Sequence, residues 1–399
     1  MSVSFQDHVV EIIIPEFNEL SKLGENFDQQ LRQFEILARK FDVFLVDDCS
    51  TDGSWERLVR ISPEICPHVH LVRMKRNGQK ILAIKHAIEK SDANYILLTD
   101  FDSRIVNPED IPASLQKFSE VPRLGGLALK LVPEGSFVLS RFQDMEYAIG
   151  RGVFSRYMNS QRKLRCVPGA AGIWDRRVLL EILKEHSGRH NGDDLEITAI
   201  ASRMGYATQY EPSIVVKTAV PRNATELFRQ RRRWELGSLE TYYKERGFYW
   251  SQVKNHRSRI GHMTLFDWYT WLTVILFPVF LANWFIHPTV MTMIGYACFE
   301  YFFVTGAGYI SRNELQDRRE LALIPIFPIY LFLASLPRFV AVYNFMRGRH
   351  LRRKAFSHSN LRPVGIAMPW LHASTQHIPA KFNDPRDSLS LELSPTVCD

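Results

Sequence analysis

Solid apolar runs and helix-spaced apolar positions alternate along the first part of this chain. Residues 9–14 are apolar apart from Glu11 and end at Pro15, which predicts a buried first strand. Phe27, Leu31, Phe34, Leu37 and Ala38 then recur at helical spacing. Residues 43–46 form a second apolar run, followed by a helix through Arg60 that Ser50 or Asp52 can cap. Residues 69–73 predict a short third strand, 81–90 a helix, and 95–99 a fourth strand. Strand and helix in alternation mean βαβ units and a mostly parallel sheet. Further on, 125–132 reads as a strand, 141–158 as a helix, and 192–204 as a helix with acids in its first turn. Residues 225–244 read as a strongly basic helix.

The pattern then changes. Residues 264–286 are apolar except for Asp267 and Asn283, and 288–310 except for Glu300. Each run is long enough to span a bilayer, and His287 alone separates them, which predicts a transmembrane hairpin. Lys254, Arg257 and Arg259 precede the pair; Arg312, Arg318 and Arg319 follow it. The positive-inside rule places both flanks in the cytoplasm. Residues 321–345 carry Pro325, Pro328, Pro337 and Arg338, and bases follow at 347–354. A third crossing would put those bases outside, so a re-entrant or interfacial segment is favoured. The expected division is a cytosolic catalytic domain at 1–250, a membrane part at 251–350 and a cytosolic tail at 351–399.

Charge changes this picture little. The net charge of +7 comes from abundant acids and bases together, and of the basic clusters at 229–233, 254–259 and 347–354 two flank apolar segments. That placement favours a membrane surface over nucleic acid. Five scattered cysteines match neither a disulfide framework nor a zinc site and read as reduced thiols.

The chemistry gathers where strands end. Asp100 and Asp102 follow the fourth strand at i, i+2, a spacing that points both carboxylates the same way in extended backbone. Ligands of open α/β sheets bind beyond the carboxyl ends of the strands. Two hard oxygen donors there suit Mg²⁺ or Mn²⁺. Asp47 and Asp48 end the second strand in the same way. Neither a G-x-G-x-x-G nor a G-x-x-x-x-G-K-[ST] occurs, so a dinucleotide site and a P-loop are unsupported. Residues 167–173 are small, as though backbone must approach a ligand closely or make a tight turn. Asp193 and Asp194 open a helix, where the dipole favours the ionised carboxylate a general base needs. Arg229, Arg231, Arg232 and Arg233 cannot all face one way. Some suit a lipid surface, and one or two can turn to a phosphate.

Five motifs in order resemble the family 2 glycosyltransferases, most closely the membrane-bound branch of cellulose, chitin and hyaluronan synthases and the Nod-factor chitooligosaccharide synthase. They are residues 12–19 as I-P-x-x-N-E, 47–53 as D-D-x-S-x-D-G, 100–102 as D-x-D, 193–194 as [TG]-E-D, and 230–234 as Q-x-x-R-W. The resemblance covers roughly residues 9 to 250. It implies a GT-A fold followed by transmembrane helices, and inverting transfer from a UDP-sugar to a saccharide or lipid acceptor. It implies that Pro15, Glu19, Asp48 and Lys80 hold uridine, with Asp47 as an alternate for Asp48. It assigns Asp100 and Asp102 to Mg²⁺ or Mn²⁺ on the diphosphate and Asp194 to the general base. Gln230, Arg233 and Trp234 would close over the diphosphate and stack on the acceptor, with Asp193 beside it. Asp193 stands where the family usually has Glu. Q-x-x-R-W points to polymer synthesis at the inner or plasma membrane. The sparse membrane part points to a single transfer, or to a pore assembled from several copies or with an export partner.

Overall fold

The computed structural model describes residues 10–188, 191–286 and 290–348. The opening βα alternation is present: β1 (Val10–Glu16), α1 (Glu19–Leu23), α2 (Asn26–Ala38), β2 (Asp42–Asp47), α3 (Ser54–Ile65), β3 (His70–Arg73), α4 (Gln79–Lys90) and β4 (Tyr95–Leu98). The chain then turns through the D-x-D segment into β5 (Ser103–Ile105), α5 (Ile111–Glu120) and β6 (Leu124–Pro133). After β6 come α6 (Val138–Ile149), a π-helical turn (Gly150–Ser155) and α7 (Arg156–Asn159). β7 (Gly172–Asp175), α8 (Arg176–Glu185), α9 (Asp193–Arg203) and β8 (Ala207–Thr218) complete the sheet region.

The sheet has eight strands in the order β3-β2-β1-β4-β7-β6-β8-β5. It is parallel from β3 to β4, but β7 runs antiparallel to both β4 and β6, and β5 antiparallel to β8. The expected mostly parallel sheet is therefore a mixed one. Gly172, at the start of β7, pairs with Leu98 at the end of β4 and with Ala128 of β6. Antiparallel neighbours join at one end. The excursion between β6 and β7 is thus held at the end where β4 finishes, above the acids.

The side-chain alternation of β1 explains the two-faced core. Ile12 and Ile14 enter one apolar layer with Phe27, Phe34 and Phe101. Ile13 enters the other with Ile84, Trp174 and Leu179. A strand covered on both faces reads as a continuous apolar run, as 9–14 does.

Beyond the sheet lie α10 (Ala224–Lys244), α11 (Arg246–Lys254), α12 (Arg259–Ile286) and α13 (Val290–Ile310), a 3₁₀ stretch (Arg318–Ile326), α14 (Phe327–Ser335) and α15 (Pro337–Arg347). α12 and α13 occupy the two expected apolar runs. Among the described residues, Arg318–Arg347 is the helical run long and apolar enough to cross a membrane. It is broken into three pieces, with Pro325 inside the first and Pro328 and Pro337 in the first turns of the others. His287 and the 351–399 tail lie outside the described residues. Among the described residues, Cys66, Cys166 and Cys298 are free thiols.

Candidate functional site

The ends of β1 and β2 form a packed floor. Pro15 pairs with Val46 one position before the ends of these strands, where Glu16 pairs with Asp47. Glu16 is buried and accepts a hydrogen bond from the Ser50 hydroxyl at 2.9 Å. Burial, and then a hydrogen bond shared with Asp47, push the Glu16 carboxyl up to about 8. Asp47 accepts from the Ser50 N–H at 3.1 Å and faces Arg73 Nε at 3.2 Å. Asp47 is thus turned into the protein, and its neighbour carries the contact to the next loop. Asp48 Oδ1 accepts from the Gly78 N–H at 2.7 Å, and Asn77 Nδ2 donates to the Asp48 carbonyl. These bonds fix the turn that launches α4. Asp52, rather than Ser50, serves the start of α3, by accepting from the Ser54 N–H.

Lys80, in the first turn of α4, is the hub. Its ammonium donates to Asp100 Oδ1. Burial works against the Lys80 charge, but Asp100, Asp193 and Asp194 outweigh it and hold the group above the usual lysine value. Lys80 thus pairs directly with the D-x-D turn, and the α9 acids add to the field around it. The 167–173 loop approaches as its small residues suggest. A Cβ on Gly169 would stand 3.3 Å from Lys80 Nζ and 3.5 Å from Asp194 Cβ.

Phe101 explains why the D-x-D carboxylates face the site. It is buried, stacked on Phe27 at 5.1 Å and edge-on to Phe34 at 5.2 Å. With that ring anchored in the core, the flanking aspartates are left on the other side of the turn. Burial, then Asp100 and Glu19, push Asp102 up to about 7. Burial also raises Glu19, which pairs with Lys22. The cluster carries more negative charge than its lysines offset. Among the described residues no three metal-ligating side chains form a ready cage. Asp100 and Asp102 nonetheless supply two hard oxygen donors in a charge-deficient setting, which fits a Mg²⁺- or Mn²⁺-like cation.

Asp194 sits in the first turn of α9. Its Oδ2 accepts from the Gly169 N–H at 3.3 Å, and its carbonyl accepts from Thr198 Oγ1 at 2.7 Å. Thr198 Oγ1 in turn accepts from the Val167 N–H, tying the helix to the loop. Burial pushes Asp193 up to about 7, and the fields of Lys80 and Arg233 pull it down. The buried Asp193 Oδ1 has no hydrogen-bond partner among the described residues.

α10 begins at an Asn223 cap, whose side chain accepts from the Glu226 N–H. Its arginines divide in a way the sequence does not reveal. Arg231 turns inward and meets a carboxylate rather than a phosphate: Nη1 and Nη2 lie 2.6 and 2.7 Å from the two oxygens of Glu146. Arg229, Arg232 and Arg233 are exposed. Trp234 remains 36 % exposed, with the Arg231 guanidinium 4.5 Å from its ring centre. Gln230 presents a buried Oε1 without a hydrogen-bond partner among the described residues. Sequence reasoning missed Glu16, Glu146 and Arg231. Glu146 and Arg231 lie 85 residues apart, and Arg231 is one of four similar neighbours.

Two family models match the chain: Glycosyl transferase family 2 over residues 11–143, and Glycosyl transferase family group 2 over residues 95–310. The chain is 26% identical over 235 residues to an N-acetylglucosaminyltransferase of Azorhizobium caulinodans, covering 56% of this chain and 58% of that protein. It is 22% identical over 230 residues to a poly-beta-1,6-N-acetyl-D-glucosamine synthase of Staphylococcus aureus, covering 56% and 53%. The chain thus spans about half the length of the curated relatives it matches. Among solved structures it resembles a mannosyltransferase of Pyrobaculum calidifontis in complex with GDP-Man and Mn²⁺. That match has a TM-score of 0.53 and 17% identity, over 83% of this chain and 86% of the other. The likeness shows a mixed α/β, GT-A-like fold.

Proposed function

This chain belongs to the family 2 glycosyltransferases, and from that premise we infer that it transfers a sugar from a UDP-sugar to a saccharide acceptor, with inversion, at a membrane surface. The observation that carries the reading is the Lys80–Asp100 ion pair beyond the strand ends, beside the Gly169 backbone that Asp194 accepts a hydrogen bond from. N-acetylglucosamine is the first candidate sugar, since the relatives named above are N-acetylglucosamine enzymes.

The chemistry assigns one task to each group. Pro15, Glu19 and Asp48 flank the place for uridine. The acceptor hydroxyl gives its proton to Asp194 as its oxygen attacks the anomeric carbon. The bond from that carbon to the diphosphate oxygen breaks, and the electron pair leaves with UDP. Lys80 and Arg233 take up the charge on the leaving diphosphate, the kind of electrostatic stabilisation that carries much of such a reaction. A Mg²⁺ or Mn²⁺ held by Asp100 and Asp102 would supply further charge neutralisation. One displacement needs one base and inverts the centre. Trp234 offers an indole face to the acceptor sugar, and Gln230 an amide oxygen that no described residue engages.

Transfer of one sugar to a lipid acceptor is the second reading, favoured by how closely apolar helices join α10. Glu235, next to Trp234, accepts from Trp271 of α12 at 2.7 Å and from Arg338 of α15 at 2.8 Å. Release of nucleoside diphosphate should be measured against UDP-N-acetylglucosamine, UDP-glucose and GDP-mannose with Mn²⁺, in the membrane fraction, followed by sizing of the labelled product. Turnover of a UDP-sugar to a saccharide ladder supports the first reading, and a single glycolipid the second. Turnover of GDP-mannose alone would overturn the donor assignment.

A further inference from the structure

We propose that Arg231, held by Glu146, is a positioning residue that sets the indole of Trp234 and so fixes where an acceptor sugar can stack. The proposal rests on the acceptor role given to Trp234 above, and goes beyond it by assigning the neighbour that aims the ring.

Arg231 is 6% exposed in a helix whose other nearby arginines face outward. Its two terminal nitrogens engage both oxygens of Glu146, the fork-to-fork geometry that lysine cannot copy. The Tyr330 hydroxyl donates to Glu146 Oε2 at 2.9 Å, and Arg231 Nη2 lies 3.4 Å from that hydroxyl. The guanidinium is thereby locked in plane and place. Its carbon stands 4.5 Å from the Trp234 ring centre, within cation–π range. One face of the indole is therefore occupied, and a sugar must use the other. Because Glu146 belongs to α6 and Tyr330 to α14, the ring's setting depends on the packing of the catalytic domain against the apolar segment.

The test compares Arg231→Lys, Glu146→Gln and Trp234→Phe in the full chain. UDP affinity is measured by calorimetry. UDP release is measured with UDP-N-acetylglucosamine and chitotetraose. Acrylamide quenching of Trp234 fluorescence is taken as the difference from Trp234→Phe. Arg231→Lys should raise the acceptor KM about tenfold, leave UDP affinity within about twofold and change quenching of Trp234 by at least about half. Glu146→Gln should act in the same direction, and the double variant should be no worse than either single one, since both act through one ring. UDP affinity falling in step with acceptor KM, or Trp234 quenching left unchanged, would overturn the proposal. If the wild-type chain turns over none of these sugars, the functional reading fails on its own. The quenching comparison still decides the role of Arg231.

Discussion

Gly237 of α10 lies backbone to backbone against the start of α9: a Cβ placed on it would stand 2.5 Å from the carbonyl carbon of Asn191 and from the nitrogen of Gly192. Gly192 itself has a φ of +70°, a conformation glycine adopts at little cost. This contact brings the arginine–tryptophan helix onto the turn that leads into α9, whose first two residues are Asp193 and Asp194. Lys244 and Glu196 pair farther along the same two helices. Replacing Gly237 with Ala should therefore force α10 outward. We expect a loss of about 1–3 kcal/mol of stability, read by thermal unfolding, together with a fall in turnover larger than the loss of folded protein explains. A fully active, fully stable variant would mean that the close approach is not needed.

Asp194→Asn keeps the shape of the side chain and removes its basicity. Turnover should drop by about 10²–10⁴, with UDP affinity nearly unchanged. Steady-state kinetics beside calorimetry separates the two effects. Loss of UDP binding as the main effect would assign Asp194 to the donor rather than to the acceptor proton.

Lys80→Ala removes the ammonium that Asp100 and the α9 acids share. Donor KM should rise by at least about tenfold, and turnover should fall as well, because the leaving group loses a cation. Lys80→Arg should restore only part of this, since a planar fork differs from a compact ammonium. An effect confined to the acceptor KM would contradict the placement.

Asp102 and Asp193 titrate near 7 in the fold, above ordinary carboxylates. Between the ordinary value and about 7 the folded chain binds protons that the unfolded chain has lost. Cation-free stability therefore falls as pH rises through that window and levels off above it. Asp102→Asn should raise the cation-free Tm by roughly 1–3 °C at pH 8 and by less at pH 5.5. Mn²⁺ should raise the wild-type Tm at pH 8 more than at pH 5.5, and should do little for Asp102→Asn. Equal shifts at both pH values would remove Asp102 as the titrating group.

Glu235→Ala should loosen α10 from both Trp271 and Arg338. If the three residues form one node, Glu235→Ala and Arg338→Ala should be clearly non-additive, with a coupling of about 0.5–3 kcal/mol by thermal or denaturant unfolding in detergent. Additive losses would mean that the two helices join α10 independently.

What the residues determined by themselves was local. Apolar runs at 9–14, 43–46 and 95–98 specified strands buried on both faces, because such strands need no polar side. Acids after those runs specified where chemistry gathers, because strand ends project to one edge of the sheet. The D-x-D pair was legible because its i, i+2 spacing follows an apolar strand, whereas the anchoring of Phe101 in the core between its members is seen only in the fold. Tertiary structure decided what depends on distant partners. β7 reverses direction, since the loop before it must return over the acids, and no short-range pattern encodes that return. Asp47 and Asp48 look alike in sequence, but Arg73 and Ser50 claim one while the turn at Gly78 claims the other. Four neighbouring arginines carry the same chemistry until a carboxylate on α6 selects Arg231. Side-chain direction on a helix follows from what packs against it, and that surface is assembled only when the chain has folded.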